Sequence, residues 1–343
     1  MKFFRKALTV LIAVSCFLII LEFLLRASGL VPLRVVNESI YPNSLGDYKP
    51  GQDLESDNIR KHHIRINSFG LRGDEIAVNK KNGVYRIMLL GDSYTFGSRV
   101  SDNQTFPFFL SERFNSQKTG SPLVEIINAG HSAYSIREEY EYFLDRGISF
   151  SPDMVIICWS PNDISELGRQ ESLRMLLKGH YRFEPFKSYL RNLALYNALR
   201  VYVSYALIKL QLGSYVPDDN VDLADSNDTE REAQLWNKYS AYLAEFKRYC
   251  DKRNIKLVLV ALVESGQLEG RGAFRPQERL GDLARANHVY FLDLSSAFVK
   301  LSKSTGHKQL FLLPQDIHFS PEGNRLVADC IFDFIRNDVR MSK

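Results

Sequence analysis

Four short stretches carry the residue types that perform acyl transfer: Gly91-Asp92-Ser93, Asn128-Ala129-Gly130-His131, Ser160-Pro161-Asn162-Asp163 and Asp316-Ile317-His318. A serine hydroxyl becomes a useful nucleophile when an adjacent base removes its proton, and imidazole is the commonest such base. Ser93 is the candidate nucleophile and His318 the candidate general base. Asp316 is the candidate group that holds the His318 tautomer and steadies the imidazolium. Asp316 and His318 are two residues apart, so in extended chain they would point to opposite faces, and a turn is required there. A tetrahedral intermediate also needs donors aimed at its oxyanion. The candidates are the backbone N–H of Ser93, the backbone N–H of Gly130 and the side-chain amide of Asn162. Gly130 suits the task because it has no Cβ to block an approaching substrate. Asp92 is read as a structural brace of its turn, and Asp163 has no assigned role. His131 is left between substrate contact and solvent exposure. This chemistry calls for no cofactor and no metal.

These stretches must be brought to one edge of a fold. Five apolar runs, Arg86–Leu90, Val124–Asn128, Met154–Trp159, Lys256–Leu262 and Val289–Leu294, are rich in Val, Ile and Leu with little polar alternation. That is the pattern of strands buried on both faces of a parallel sheet. Helix-like stretches separate them at Phe106–Phe114, Ser135–Gly147, Glu230–Asn254 and Pro276–Asn287. A last one, Pro321–Asn337, opens on a Ser-Pro-Glu start suited to a cap and first turn. Alternation of this kind predicts a doubly wound α/β sheet with right-handed crossovers. Ligands bind such sheets beyond the carboxyl ends of the strands. Three of the four stretches follow strands, and the fourth precedes the closing helix.

The set resembles the SGNH hydrolases, the GDSL esterase/lipase family, whose blocks centre on a Ser in Gly-Asp-Ser, a Gly, an Asn in Gly-x-Asn-Asp, and a C-terminal Asp and His. The blocks occur here in the family's order over about residues 85 to 340. The resemblance implies a flavodoxin-like three-layer α/β/α sandwich with a five-stranded parallel sheet, and esterase chemistry at Ser93. Two departures stand out. Ser160 occupies the place of the usual Gly, and Asp316-x-His318 is shorter than the usual spacing. The shorter spacing resembles the branch containing the alginate O-acetyltransferase proteins and their periplasmic relatives. The stretch "INSFGLRGDE" resembles the lead-in of membrane-anchored members.

Ahead of this region, Ala7 to Leu25 is an apolar run interrupted only by Glu22. As a helix it spans roughly 28 Å, about a bilayer core. Lys2, Arg5 and Lys6 precede it, so the N-terminus is expected in the cytoplasm and the bulk of the chain outside, on a periplasmic face. A cleaved signal peptide usually has a shorter apolar core, and the apolar Phe17 to Leu21 disfavours a lipoprotein signal at Cys16, so of the three readings a retained anchor is the expectation. The organisation reads as a tail at 1–6, a transmembrane anchor at 7–28, an extracytoplasmic lead-in at 29–84, and a hydrolase domain at 85–340. That domain carries an aromatic, basic helical insertion at 165–228, suited to a lid, a substrate groove or contact with the membrane surface. With 44 basic and 40 acidic residues the charges nearly cancel, and no basic stripe supports nucleic-acid binding. The four cysteines form no CxxC pair and read as small buried hydrophobes. His62 and His63 are adjacent and would point to opposite faces of a strand, which disfavours joint metal ligation.

The expected function is a membrane-anchored serine esterase acting on acyl esters, acetyl above all, of carbohydrate or lipid. The alternatives are an O-acetyltransferase of cell-surface polysaccharide and a non-catalytic polysaccharide-assembly component on the same fold.

Overall fold

The computed structural model describes residues 2–28, 47–56, 62–116, 122–169, 229–270, 274–313 and 316–341, with scattered positions between 172 and 199. Helix α1 (Lys2–Ser28) is followed by an antiparallel pair, β1 (Gln52–Ser56) and β2 (His62–Ile66). The main domain then runs β3 (Val84–Gly91), α2 (Ser93–Phe96), α3 (Phe106–Asn115), β4 (Leu123–Gly130), α4 (Ile136–Asp145), β5 (Met154–Trp159) and α5 (Asn162–Glu166). It continues through α6 (Thr229–Asp251), β6 (Lys256–Ala261), α7 (Ser265–Leu268), α8 (Arg275–Ala286), β7 (Tyr290–Asp293), α9 (Ser295–Thr305) and α10 (Pro321–Phe334).

The five strands of the main sheet lie in the order β4-β3-β5-β6-β7, all parallel. The chain therefore steps from β3 to one neighbour and crosses back to the other, which makes the carboxyl end of β3 the topological switch point. Every residue of β3 and β5 is buried, which is why neither sequence alternates. Met88, Leu90, Val155, Ile157 and Leu259 face α4, α6 and α8 through Phe143, Trp236, Phe246 and Leu280. Ile87, Leu89, Ile156 and Val258 face α3, α9 and α10 through Phe106, Phe298, Val327 and Ile331. The three-layer α/β/α sandwich is thus the observed architecture. Helix α9 was not anticipated, and the closing helix ends its regular part at Phe334, with a wider turn over Ile335–Val339.

The stretch ahead of β3 is built into this body. Tyr48, Ile64 and Ile66 share a small core with Phe96 of α2. Arg72 is buried, with Nη1 donating to Phe96 O at 2.8 Å and to Gly97 O, Nη2 donating to Val100 O at 2.6 Å, and Nε donating to Asp102 at 2.9 Å. Its guanidinium also lies 4.7 Å from the Phe96 ring centroid. One side chain thereby satisfies the carbonyls at the C-terminal end of α2, the helix that begins at Ser93. Arg86 works similarly from β3, donating to the carbonyls of Ala77 at 2.9 Å and Val78 at 3.0 Å.

Helix α1 is long and apolar enough to cross a membrane, and its side chains are almost all exposed. Glu22, near its C-terminal end, accepts from the backbone N–H groups of Ala194 and Leu195, both at 2.8 Å, and from Arg26. Most of the 165–228 insertion, including Tyr181, Phe183, Phe186, Tyr189, Tyr202 and Tyr205, lies outside the described residues. His62 is buried, and both ring nitrogens of His63 face carboxylates, Asp53 and Asp102. The cysteines are free: Cys158 and Cys250 are buried, Cys330 is half-buried, and Cys16 is exposed on α1.

Replacing Arg72 by Met removes the donor of Val100 O and the shortest donor bonds to Phe96 O and Gly97 O, and leaves Asp102 with only His63 and the Arg65 N–H. The expected loss is about 3–5 kcal/mol of unfolding free energy, read from urea denaturation of the wild type and the variant.

Candidate functional site

The first strand ends where backbone must pass through a very tight space. A Cβ on Gly91 would lie 2.1 Å from Thr95 Oγ1 and 2.9 Å from Cys158 O. Asp92 then caps α2, its carboxylate accepting from Tyr94 N at 2.8 Å. Ser93 stands at the first position of the helix and is only partly exposed. Its Oγ is 2.7 Å from His318 Nε2. His318 Nδ1 in turn is hydrogen-bonded to Asp316 Oδ1.

The turn demanded by the Asp-x-His spacing is present. Asp316 Oδ1 also accepts the backbone N–H of His318 at 2.9 Å, while Leu312 N donates to His318 O at 2.9 Å and Asp316 N to Leu312 O at 3.1 Å. The carboxylate thus curls back over its own loop to reach the ring. Tyr94 OH donates to Ile317 O at 3.2 Å and its ring packs 4.9 Å from that of His318, which ties this loop to α2. Arg99 Nε donates to the second Asp316 oxygen at 3.3 Å. Burial by itself would raise the Asp316 pKa. The hydrogen bonds and charge of His318, with Arg99 beyond, outweigh it and hold the carboxyl below its ordinary value.

Asn162 opens α5 after β5. Its Nδ2 donates to Glu166 Oε1 at 3.2 Å, and its Oδ1 touches the Ser160 hydroxyl. Ser160 donates to Asp92 Oδ2 at 2.8 Å. The hydroxyl that replaces the family's usual glycine therefore links the Ser93 turn to the Asn162 turn.

Gly130 has a close partner and a close neighbour of its own. Its N–H donates to Asn128 Oδ1 at 3.1 Å, so it is already engaged. The absent Cβ serves packing, since one would lie 2.3 Å from Phe96 N, where the end of β4 meets the backbone of α2. The loop that follows offers a different donor. His131 N donates to Gly91 O, Ser132 N to the Tyr48 hydroxyl, Tyr134 N to His131 O and Ser135 N to Glu138. Among the described residues no acceptor is assigned to Ala133 N, and Ala133 adopts φ 62°, in the left-handed region uncommon for a residue with a Cβ. Its carbonyl accepts from Arg169 Nη1 at 2.9 Å. Nothing in the sequence marks an alanine for such a conformation. Glu166 and Arg169 were also missed; Glu166, four residues after Asn162, shares its face of α5, while Arg169 follows the end of that helix.

His131 is neither exposed nor placed for substrate. It is buried and stacked between Tyr48 at 4.5 Å and Tyr134 at 4.6 Å, with Nδ1 against Ala129 O. Burial lowers its pKa to about 4, so the ring stays neutral in the core. Among the described residues, no group of three or more His, Cys, Asp or Glu side chains could hold a metal ion.

A doubly wound parallel sheet with serine, imidazole and carboxylate in series at its carboxyl edge is the layout of an α/β/α serine hydrolase. The chain belongs to the GDSL-like lipase/acylhydrolase family, whose model matches residues 89–326, and with it to the ester-hydrolysing serine hydrolases of the SGNH superfamily. Among solved structures it is similar to an acetylxylan esterase from Geobacillus stearothermophilus, with 14% identity over 76% of this chain and 97% of that chain and a TM-score of 0.46. It is also similar to the acetyl xylan esterase AlAXEase, with 18% identity over 73% and 99% of the two chains and a TM-score of 0.43. A lipase/acylhydrolase from Enterococcus faecalis is similar at 12% identity, over 76% and 99%, with a TM-score of 0.45. No curated protein sequence matches the chain.

Because the folded state lowers the Asp316 pKa, this carboxylate stabilises the fold above the ordinary carboxylate value near 3.9, and that stability is lost as pH falls through the lowered folded value. Urea midpoints measured from pH 6 down to pH 2 are expected to fall less steeply in Asp316→Asn than in the wild type.

Proposed function

We propose that this protein is a membrane-anchored serine esterase that forms an acyl-enzyme at Ser93 and resolves it with water. The observation that carries the reading is the continuous chain from Ser93 Oγ through His318 to Asp316. His318 Nε2 takes the Ser93 proton as the hydroxyl attacks the ester carbonyl, and later returns a proton to the departing alcohol. Asp316 keeps the Nδ1 proton in place and balances the imidazolium. The developing oxyanion is met by the N–H of Ser93, the amide of Asn162 and the N–H of Ala133, which takes the place assigned from sequence to Gly130. Deacylation repeats the sequence with water as the nucleophile.

Among the described residues near this site, Asn162, Glu166, Arg169 and Arg99 are polar, beside the ring of Tyr94 and the exposed Ile317. Such a rim suits a hydroxyl-rich leaving group carrying a short acyl chain, and we assign an acetylated carbohydrate as the substrate class. Residues 7–28 are assigned as the anchor, with the N-terminus cytoplasmic and the catalytic domain on the periplasmic side, in keeping with Lys2, Arg5 and Lys6 ahead of the apolar run.

Ser93→Ala is expected to lower turnover of p-nitrophenyl acetate by at least about 1000-fold while the thermal unfolding midpoint stays close to that of the wild type. Turnover that survives the substitution would rule out the acyl-enzyme at this serine. Acetate release that is diverted to an added oligosaccharide, read by mass spectrometry of the products, would move the reading from hydrolysis to transfer.

A further inference from the structure

Two of the oxyanion donors proposed above sit on different elements, Ala133 on the loop after β4 and Asn162 at the start of α5. Both are held from the same side. Glu166 Oε1 accepts from Asn162 Nδ2 at 3.2 Å, the other Glu166 oxygen is ion-paired with Arg169 Nη2, and Arg169 Nη1 donates to Ala133 O at 2.9 Å. We propose that Glu166 and Arg169 are positioning residues that join Asn162 and Ala133 into one rigid oxyanion-binding unit. The inference rests on the acyl-enzyme reading of Ser93 and names the residues on which the geometry of that site depends.

The chemistry of the bridge favours this role over a surface ion pair. The side chains of Glu166 and Arg169 are only 17% and 13% exposed, so the pair is shielded from water and held in one arrangement. Each group makes two directed contacts, which a carboxylate and a planar guanidinium provide and shorter or rounder groups do not. Arg169 is steadied in turn by α4: Glu138 lies 4.0 Å from its Nη1, and Arg137 donates to its backbone carbonyl at 3.0 Å. Asn162 therefore cannot swing toward solvent without breaking its bond to Glu166, and Ala133 keeps its left-handed backbone because its carbonyl is pinned.

The bridge also carries a charge that responds to pH. The groups facing Glu166 are Asn162, Asp163 and Arg169 from its own segment and Asp92 from the Ser93 turn. Burial raises the Glu166 pKa, Arg169 pulls it back, and Asp92 raises it further, leaving it at about 7. Protonated Glu166 loses its charge-assisted bond to Arg169 and one acceptor for Asn162. Acidification is therefore expected to loosen the oxyanion donors in addition to protonating the base, so that the acid side of the activity profile is steeper than one proton.

The test uses Glu166→Gln and Arg169→Lys in the full-length protein, checked for folding by thermal melting. It reads two reactions of Ser93, hydrolysis of p-nitrophenyl acetate and phosphorylation by diethyl p-nitrophenyl phosphate, whose P=O oxygen occupies the same donors whatever the natural acyl group is. Both variants are expected to lose about 10- to 100-fold in kcat and in phosphorylation rate, with KM changed by less than about threefold. The acid limb of Glu166→Gln is expected to become a single-proton limb. If Glu166→Gln fails to fold, Arg169→Lys carries the test, because its single ammonium cannot hold Glu166 and the Ala133 carbonyl together. Wild-type rates in both folded variants would overturn the bridge while leaving the acyl-enzyme intact. A folded wild type that resists phosphorylation would overturn the acyl-enzyme reading and the bridge with it.

Discussion

Asp92 is a carboxylate sealed inside the protein one residue before the candidate nucleophile, and the site is arranged around satisfying it. A buried carboxylate without partners costs several kcal/mol. Here the Tyr94 N–H and the Ser160 hydroxyl supply the two hydrogen bonds, each at 2.8 Å. The first makes Asp92 the cap of α2 and so fixes where Ser93 points. The second reaches across to the turn after β5 and fixes where Asn162 begins. Burial pushes the Asp92 pKa up, and Ser160, the Tyr94 N–H and the nearby His318 charge work against that push. The Ser-for-Gly departure at position 160 thus compensates a constraint set sixty-eight residues earlier in the chain.

The same turn is held from the other end by Arg72. Helix α2 has four residues, too few to be stable by itself, and its terminal carbonyls would otherwise be buried without donors. Arg72 supplies those donors from the stretch that precedes the sheet, and Tyr48 and Ile66 cover the ring of Phe96. A segment that reads as a connector between membrane and enzyme is in this respect part of the scaffold of the site.

This explains what was legible in the sequence. The strands were readable because burial on both faces leaves an uninterrupted apolar signature, and the observed β3 and β5 differ from the expected spans by no more than two residues at an end. Ser93, His318, Asp316 and Asn162 were readable because each follows a strand or precedes a capped helix, and the structure brings them into one neighbourhood. Gly130 was read as a donor because it lacks a Cβ. Glycine marks close approach of backbone without saying what approaches, and here it is α2 rather than a substrate. Ala133, Glu166 and Arg169 were hidden because their placement depends on contacts between separate elements. His131 was open on sequence because its two stacking partners, Tyr48 and Tyr134, come from separate segments.

Beneath the site lies a layer of acids whose charge state matters to any oxyanion chemistry above it. Glu139 of α4 and Asp163 of α5 are both fully buried, and two oxygens of Glu139 and one of Asp163 have no hydrogen-bond partner among the described residues. Burial pushes both pKa values well above the carboxylate range; the charges of Asp92 and Glu138 add to the effect on Glu139, and those of Glu139, Asp92 and Glu166 to the effect on Asp163. The three groups cannot all be ionised in so small a volume. Asp92 has hydrogen bonds that support a charge and the Glu139 carboxylate has no partner among the described residues, so of these groups Asp92 is the better placed to carry the negative charge, at the cap of α2. Two further anions behind Asn162 would oppose a developing oxyanion through a medium with little water to screen them. The desolvation that makes this layer costly to bury is therefore also what removes its electrostatic opposition to acyl transfer.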